Sequence, residues 1–139
     1  MSIVISDYYK NITQNDCLEI LEEIIWNNKP RCPYCESHHH TLLRNENRYR
    51  CNSCHTAYSI TVNTLFHDTR LPLKKWFTTV HILQNINKEI SSRELAQILS
   101  VNKNTAWYLI KRIENGFLNT KDRQLILSLS ERLRGQNEK

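Results

Sequence analysis

Glycine is scarce in this chain. Gly116 and Gly135 are the only two in 139 residues, and prolines number three. So few chain breakers fit a mostly helical protein with short connections. Long apolar runs are also missing: none approaches the roughly 18 residues of a membrane span. The opening stretch MSIVISDYYK has no basic segment followed by a long apolar one, so no secretory signal is expected. The expectation is a cytoplasmic protein without membrane contact. Cysteines in that compartment stay reduced, so paired Cys-x-x-Cys motifs read as metal sites before disulfides.

Acidic side chains are unevenly short. Residues 1–30 carry two basic and five acidic groups, whereas residues 31–139 carry seventeen and nine, a net of +8. A basic body behind an acidic cap fits a polyanionic partner, nucleic acid most simply. A merely solvated surface fits the same numbers.

What is present begins with cysteine. Cys32 and Cys35 are two residues apart, and Cys51 and Cys54 repeat that spacing after fifteen intervening residues. Each short turn aims two sulfurs at one point, and a hairpin brings the two turns together. One structural zinc ion held by Cys32, Cys35, Cys51 and Cys54 is the expectation, with disulfides or an iron–sulfur centre as alternatives. Four thiolates close the coordination shell, which marks a structural rather than a catalytic ion. His38, His39, His40 and His55 are then not needed as ligands. His55 is a secondary candidate, replacing a cysteine or donating to a sulfur. Cys17 stands alone beside an apolar stripe and reads as a small core residue.

Periodicity supplies the remaining elements. ITQNDCLEILEEIIWNNK reads as a helix capped by Thr13, with Leu18, Leu21, Ile24 and Ile25 on one face. HTLLRNENRYR reads as strand, turn and strand, and the alternation in AYSITV as a further strand. LPLKKWFTTVHILQN is an amphipathic helix over 73–86, with His81 as a partly buried helix histidine. Ser91 and Glu94 match a capping box, so a helix begins at Ser92. Asn102 caps another that starts at Lys103 and ends near Gly116. RQLILSLSERL forms a last amphipathic helix, and RGQNEK is expected to fray.

Two capped helices about three residues apart suggest a helix-turn-helix. Stepping 100° per residue from Lys103 gathers Ala106, Leu109, Ile110, Ile113 and Phe117 on one side. Asn104, Tyr108, Lys111, Arg112 and Asn115 fall opposite, on a basic face without acids. Trp107 sits at the boundary and is expected to pack. Asn pairs with adenine, and Lys or Arg with guanine or phosphate, so this face suits a DNA groove. Lys103 and Asn104 lie at the end that reaches base edges. Arg44, Arg48 and Arg50 alternate along the ribbon and could track phosphates. An ordinary helical hairpin with a solvated face remains the alternative.

The strings CPYC, RYRCNSCHTAYSITVNTLFHDTRLPLKKWF and ISSRELAQILSVNKNTAWYLIKRI, in that order, resemble the N-terminal region of zinc-ribbon insertion-sequence transposases. The resemblance spans about residues 20–115. It implies a ribbon and helix-turn-helix that recognise transposon ends, ahead of a ribonuclease-H-like domain that transfers strands on three acidic or polar metal ligands. Beyond Arg112 the acids are Glu114, Asp122, Glu131 and Glu138, and 24 residues follow Asn115. Such a catalytic domain is therefore not expected here. Ser100 also stands where many relatives would carry glycine.

The expected fold is α+β and mainly helical. An N-terminal helical segment occupies 1–30, a small zinc ribbon 31–66, a three-helix helix-turn-helix domain 67–118, and a C-terminal helix and tail 119–139. The expected function is non-catalytic, transposase-derived binding of double-stranded DNA, with a homodimer or protein partner engaged through the first or last helix. The alternatives are a protein-docking adaptor of a nucleic-acid-processing or defence complex, using exposed aromatics such as Trp26, or an RNA-binding module using Tyr34 and Tyr49.

Overall fold

The computed structural model describes residues 7–43, 48–67 and 69–137. Its elements run α1 (Asp7–Asn11), α2 (Gln14–Trp26), β1 (His40–Leu43), β2 (Arg48–Cys51), β3 (Ala57–Tyr58), α3 (Leu73–His81), α4 (Ser92–Leu99), α5 (Lys103–Gly116) and α6 (Thr120–Asn137). The fold is α+β and mainly helical, with one three-stranded antiparallel sheet in the order β1-β2-β3. Among the described residues no helix is long and apolar enough to cross a membrane.

The caps read from sequence set the helix starts. Thr13 and Asp16 bond each other's backbone N–H in a capping box at α2. Ser91 Oγ accepts from Glu94 N–H at α4, and Asn102 Oδ1 from Thr105 N–H at α5. Pro72 cannot cap α3 with a side chain. Gln14 of α2 does so from a distance, accepting the Leu73 N–H at 2.9 Å.

One core joins the helices. Tyr9, Cys17 and Leu21 from the first two helices bury beside Trp76, Phe77 and Val80 of α3, Leu109 and Ile113 of α5, and Ile126, Leu129 and Leu133 of α6. Burial pushes the Cys17 thiol up to about 12, which leaves it an inert packing group. Lys75 Nζ reaches from α3 to the Leu99 carbonyl at the end of α4. Charge at a helix C-terminus is favourable there, and the bond locks α4 to its neighbour.

Several expectations need correcting. The helix expected over 73–86 stops being regular at His81 and continues as a wider π turn, Ile82–Ile86. That turn aims Asn85 at two partners, the His81 ring (2.9 Å) and the Ser130 carbonyl of α6 (3.0 Å). His81 is buried and stacks on Tyr9 with ring centroids 5.1 Å apart.

AYSITV forms strand only at Ala57–Tyr58. From Ser59 to His67 the chain runs through successive tight turns, with Val62 N–H to Ser59 O, Thr64 N–H to Thr61 O and His67 N–H to Thr64 O. Ser59, Thr61 and Thr64 bond one another and the local backbone there, which competes with strand pairing. Ile60, Leu65 and Phe66 from this stretch enter the helical core.

Gly116 is the last residue of α5, as expected, but not for its left-handed freedom. A Cβ there would come within 2.8 Å of Ile126 Cδ1, so its small size lets α5 and α6 approach. Of RGQNEK, expected to fray, the residues through Asn137 continue α6, and Glu138 and Lys139 lie outside the described residues. The short helix α1 lies ahead of the stretch whose periodicity predicts the first helix.

Ser100 adopts φ 57° and ψ 46°, the left-handed conformation that the turn between α4 and α5 requires. A side chain costs about 1–2 kcal/mol in that region, and glycine's extra unfolded freedom offsets about half. Ser100→Gly should therefore raise the free energy of unfolding in urea by about 0.5–1 kcal/mol. An unchanged or lower midpoint would show the turn is not strained.

Candidate metal centre and basic helix face

The ribbon repeats one backbone device twice. In the first turn Cys32 N–H bonds the Ser37 carbonyl, and Glu36 N–H returns to the Cys32 carbonyl. In the second, Cys51 N–H bonds Thr56 O, and His55 N–H returns to Cys51 O. Glu36 (φ 66°) and His55 (φ 65°) both take the left-handed conformation that closes the loop. Backbone N–H groups then point at sulfur: Tyr34 N to Cys32 Sγ and Cys54 N to Cys51 Sγ, each 3.4 Å.

β1 and β2 bring the two turns together, with His40 opposite Cys51. The sulfurs of Cys32, Cys35, Cys51 and Cys54 all lie within 4.8 Å of one another. Cys32–Cys54 is 3.7 Å and Cys35–Cys51 3.4 Å. A zinc tetrahedron with 2.3 Å bonds needs sulfurs about 3.8 Å apart, whereas a disulfide needs about 2.0 Å. The four cysteines are free and positioned to bind one metal ion, as a zinc ribbon requires.

The local field favours thiolate at one corner. The Cys54 N–H, followed by the Ser53 N–H, lowers the Cys51 thiol to about 6 against the opposing effect of desolvation. Cys54 is lowered by hydrogen bonds from Thr56, side chain first and then backbone. Cys35 goes the other way, up to about 12: the Ser37 backbone lowers it, but the bond with Cys51, desolvation, and Cys54 and Cys32 outweigh that. A divalent cation at the centre reverses this balance, since thiols that coordinate it ionise outright.

The histidines lie outside the sulfur cluster. His38 Nδ1 bonds the Pro30 carbonyl and His40 Nδ1 the His38 carbonyl. His55 serves the turn through its backbone.

An aromatic wedge couples ribbon to helix. Trp26, expected to be exposed, is half-buried at the end of α2, edge-on to Tyr49 (5.7 Å) and Tyr58 (5.8 Å). Tyr49 stacks on Tyr58 and donates its hydroxyl to Glu22. Of the two tyrosines considered for RNA stacking, Tyr34 is exposed, whereas Tyr49 is committed to this wedge.

On α5, Ala106, Leu109, Ile110 and Ile113 are buried, as the wheel requires. Lys103, Asn104, Tyr108 and Lys111 are exposed. Three details depart from expectation. Arg112 is half-buried, and its Nη2 donates to the Leu65 carbonyl at 3.1 Å. Its Nε is buried and has no hydrogen-bond partner among the described residues. Trp107 is 55% exposed, with the Lys111 ammonium 5.9 Å from its ring centroid. The face is not free of acid, because Glu114 lies 3.3 Å from Lys111 Nζ. Arg48 and Arg50 are exposed on β2, and Arg44 lies outside the described residues.

Comparison with known proteins agrees with this centre. Residues 12–57 match the family described as transposase zinc-ribbon domain. That stretch takes in α2, the four cysteines, β1 and β2, and ends within β3. A relative from Halobacterium salinarum, described as an uncharacterized protein in the transposable element ISH50, is 25% identical over 104 residues. The alignment covers 73% of this chain and 35% of the relative, so the chain spans about a third of that protein's length. No solved structure matches. The chain thus carries a transposase-related zinc ribbon.

Cys51→Ser should reduce bound zinc well below one ion per chain by elemental analysis. His55→Gly should keep one ion and leave the ribbon at least as stable, because glycine relieves the left-handed turn. Zinc loss in His55→Gly would restore the imidazole as a ligand.

Proposed function

We propose that this chain is a non-catalytic, transposase-derived protein that binds duplex DNA, with α4 and α5 acting as a helix-turn-helix and the zinc ribbon as its fixed neighbour. The supporting observation is the division of α5. One side is anchored in the core, while Asn104, Tyr108 and Lys111 stand exposed at i, i+4 and i+7. An anchored helix with an exposed amide, phenol and ammonium in register has the form of a groove-reading element.

In this reading residues 31–66 and 67–118 are the two DNA-facing units. The segments 1–30 and 119–139 brace them. Lys103 and Lys111 contact phosphate or guanine, Asn104 reads a base edge, and Arg48 and Arg50 follow the backbone. Arg112 supports the helix from behind through Leu65. The metal is structural, because four sulfurs leave no position for a substrate.

Selection of bound duplexes from a random pool tests this directly. The expected result is an enriched sequence whose affinity falls with salt, with a log–log slope of about −0.9 per phosphate neutralised. Lys111→Ala should make that slope shallower and leave zinc content unchanged. Asn104→Ala should relax preference at one base pair, at a cost of about 1–3 kcal/mol for the cognate site. Arg112→Ala should instead lower the stability of the free protein by about 1–3 kcal/mol. No affinity for any duplex at low salt would end the reading.

A further inference from the structure

A cleft lies beside the first half of α5. It measures about 380 Å³ and is lined by Thr69, Arg70 and Leu71 on one side and by Asn104, Thr105 and Tyr108 on the other. The segment 69–71 precedes α3 and contains no regular structure. It is nonetheless held in place. Thr69 Oγ1 accepts both the Leu71 N–H (3.1 Å) and the buried Trp76 indole N–H (3.0 Å). The same Trp76 ring meets Tyr108 of α5 edge to face, with centroids 6.1 Å apart. One indole therefore fixes the spacing between this segment and the exposed face of α5.

Arg70 is exposed on the fixed segment and has no ion-pair partner among the described residues. Arg31 pairs with Glu36, Arg132 with Glu23, and Arg112 bonds Leu65. Among the described residues, then, no carboxylate or carbonyl occupies the Arg70 donors next to Asn104 and Tyr108. A guanidinium fork suits a phosphate better than any neutral partner, because two parallel N–H donors match two oxygens.

We propose that Arg70 is a DNA-backbone contact, gripping a phosphate of the strand that passes through this cleft and so setting the register in which α5 meets the bases. The inference rests on the DNA-binding reading above. It adds a contact from outside the helix pair. Such a contact positions the helix without itself discriminating sequence.

The test uses the full zinc-loaded chain with Arg70→Ala and Arg70→Lys. Affinity is measured against a duplex selected from a random pool and a scrambled duplex, over a series of salt concentrations. Arg70→Ala should weaken both duplexes alike, by about 8-fold near 0.1 M salt, and make the slope shallower by about 0.9. Arg70→Lys should recover most of the slope, since a point charge still neutralises phosphate. Zinc content and far-ultraviolet circular dichroism should match the parent. An unchanged slope in Arg70→Ala, a loss confined to the selected duplex, or a loss of zinc or helix would each overturn the assignment. Failure of the parent chain to bind either duplex would instead remove the reading on which it rests.

Discussion

The convergence of four sulfurs is the constraint on which the ribbon depends. Its strands have four, four and two residues, and its own buried set is Cys32, Cys51 and Tyr58. That is far too little apolar surface to offset the ordering of some thirty residues. A structural zinc site supplies on the order of 10 kcal/mol, comparable to the whole stability of a small domain. The backbone is shaped to receive it. Both cysteine turns place a non-glycine residue in the left-handed region, and both direct an N–H at a sulfur. Neither feature helps a metal-free hairpin. The ribbon then meets the helices through Tyr49 and Tyr58 against Trp26, at the end of α2.

The helical body depends on α3 in a comparable way. Gln14 caps its start from α2, Lys75 caps the end of α4, and Trp76 connects the segment before it to Tyr108 of α5. Its irregular end, the π turn, directs Asn85 to both His81 and α6. A regular last turn would rotate that side chain by part of a turn and break the link. Here the loss of one regular hydrogen-bond step is compensated by two side-chain bonds to buried partners. The apolar face of α6 is used within the chain through Leu125, Ile126, Leu129 and Leu133.

Features governed by local chemistry were legible in sequence. Thr13, Ser91 and Asn102 cap because a short polar side chain meets orphan N–H groups wherever it stands. Paired cysteines announce their turns by spacing alone. The misreadings share a different cause. Tyr58, Ile60 and Val62 alternate as a strand does, but the Ser59 and Thr61 hydroxyls bond each other and the Thr64 hydroxyl bonds the Thr61 carbonyl, and pattern alone does not rank those two outcomes. Trp26 and Trp107 exchanged their expected roles, because burial of a residue at the edge of a helix face is decided by what arrives from elsewhere in the chain. Arg112 shows the same effect: the wheel gives the direction of its Cβ, while the guanidinium reaches back to Leu65. Arg70 carried no periodic signal, since it lies outside any helix or strand.

A net charge of +8 over residues 31–139 is therefore not equivalent to a DNA-binding surface. Lys75 and Arg112 reach backbone carbonyls and hold the molecule together, while Arg31 and Arg132 face carboxylates in exposed pairs that offset their charge but add little stability. Lys111 is intermediate. Its contact with Glu114 is half-exposed on both sides, a class of pair worth about 1 kcal/mol or less. Releasing that ammonium to a phosphate costs little, but the carboxylate left behind repels the same phosphate. Lys111 is thus a weaker grip than its position implies, which leaves Lys103 at the helix start and gives weight to any further cation beside the helix. Arg70, on the segment that Thr69 and Trp76 hold, stands where it would supply such a charge with no acid bound to it among the described residues.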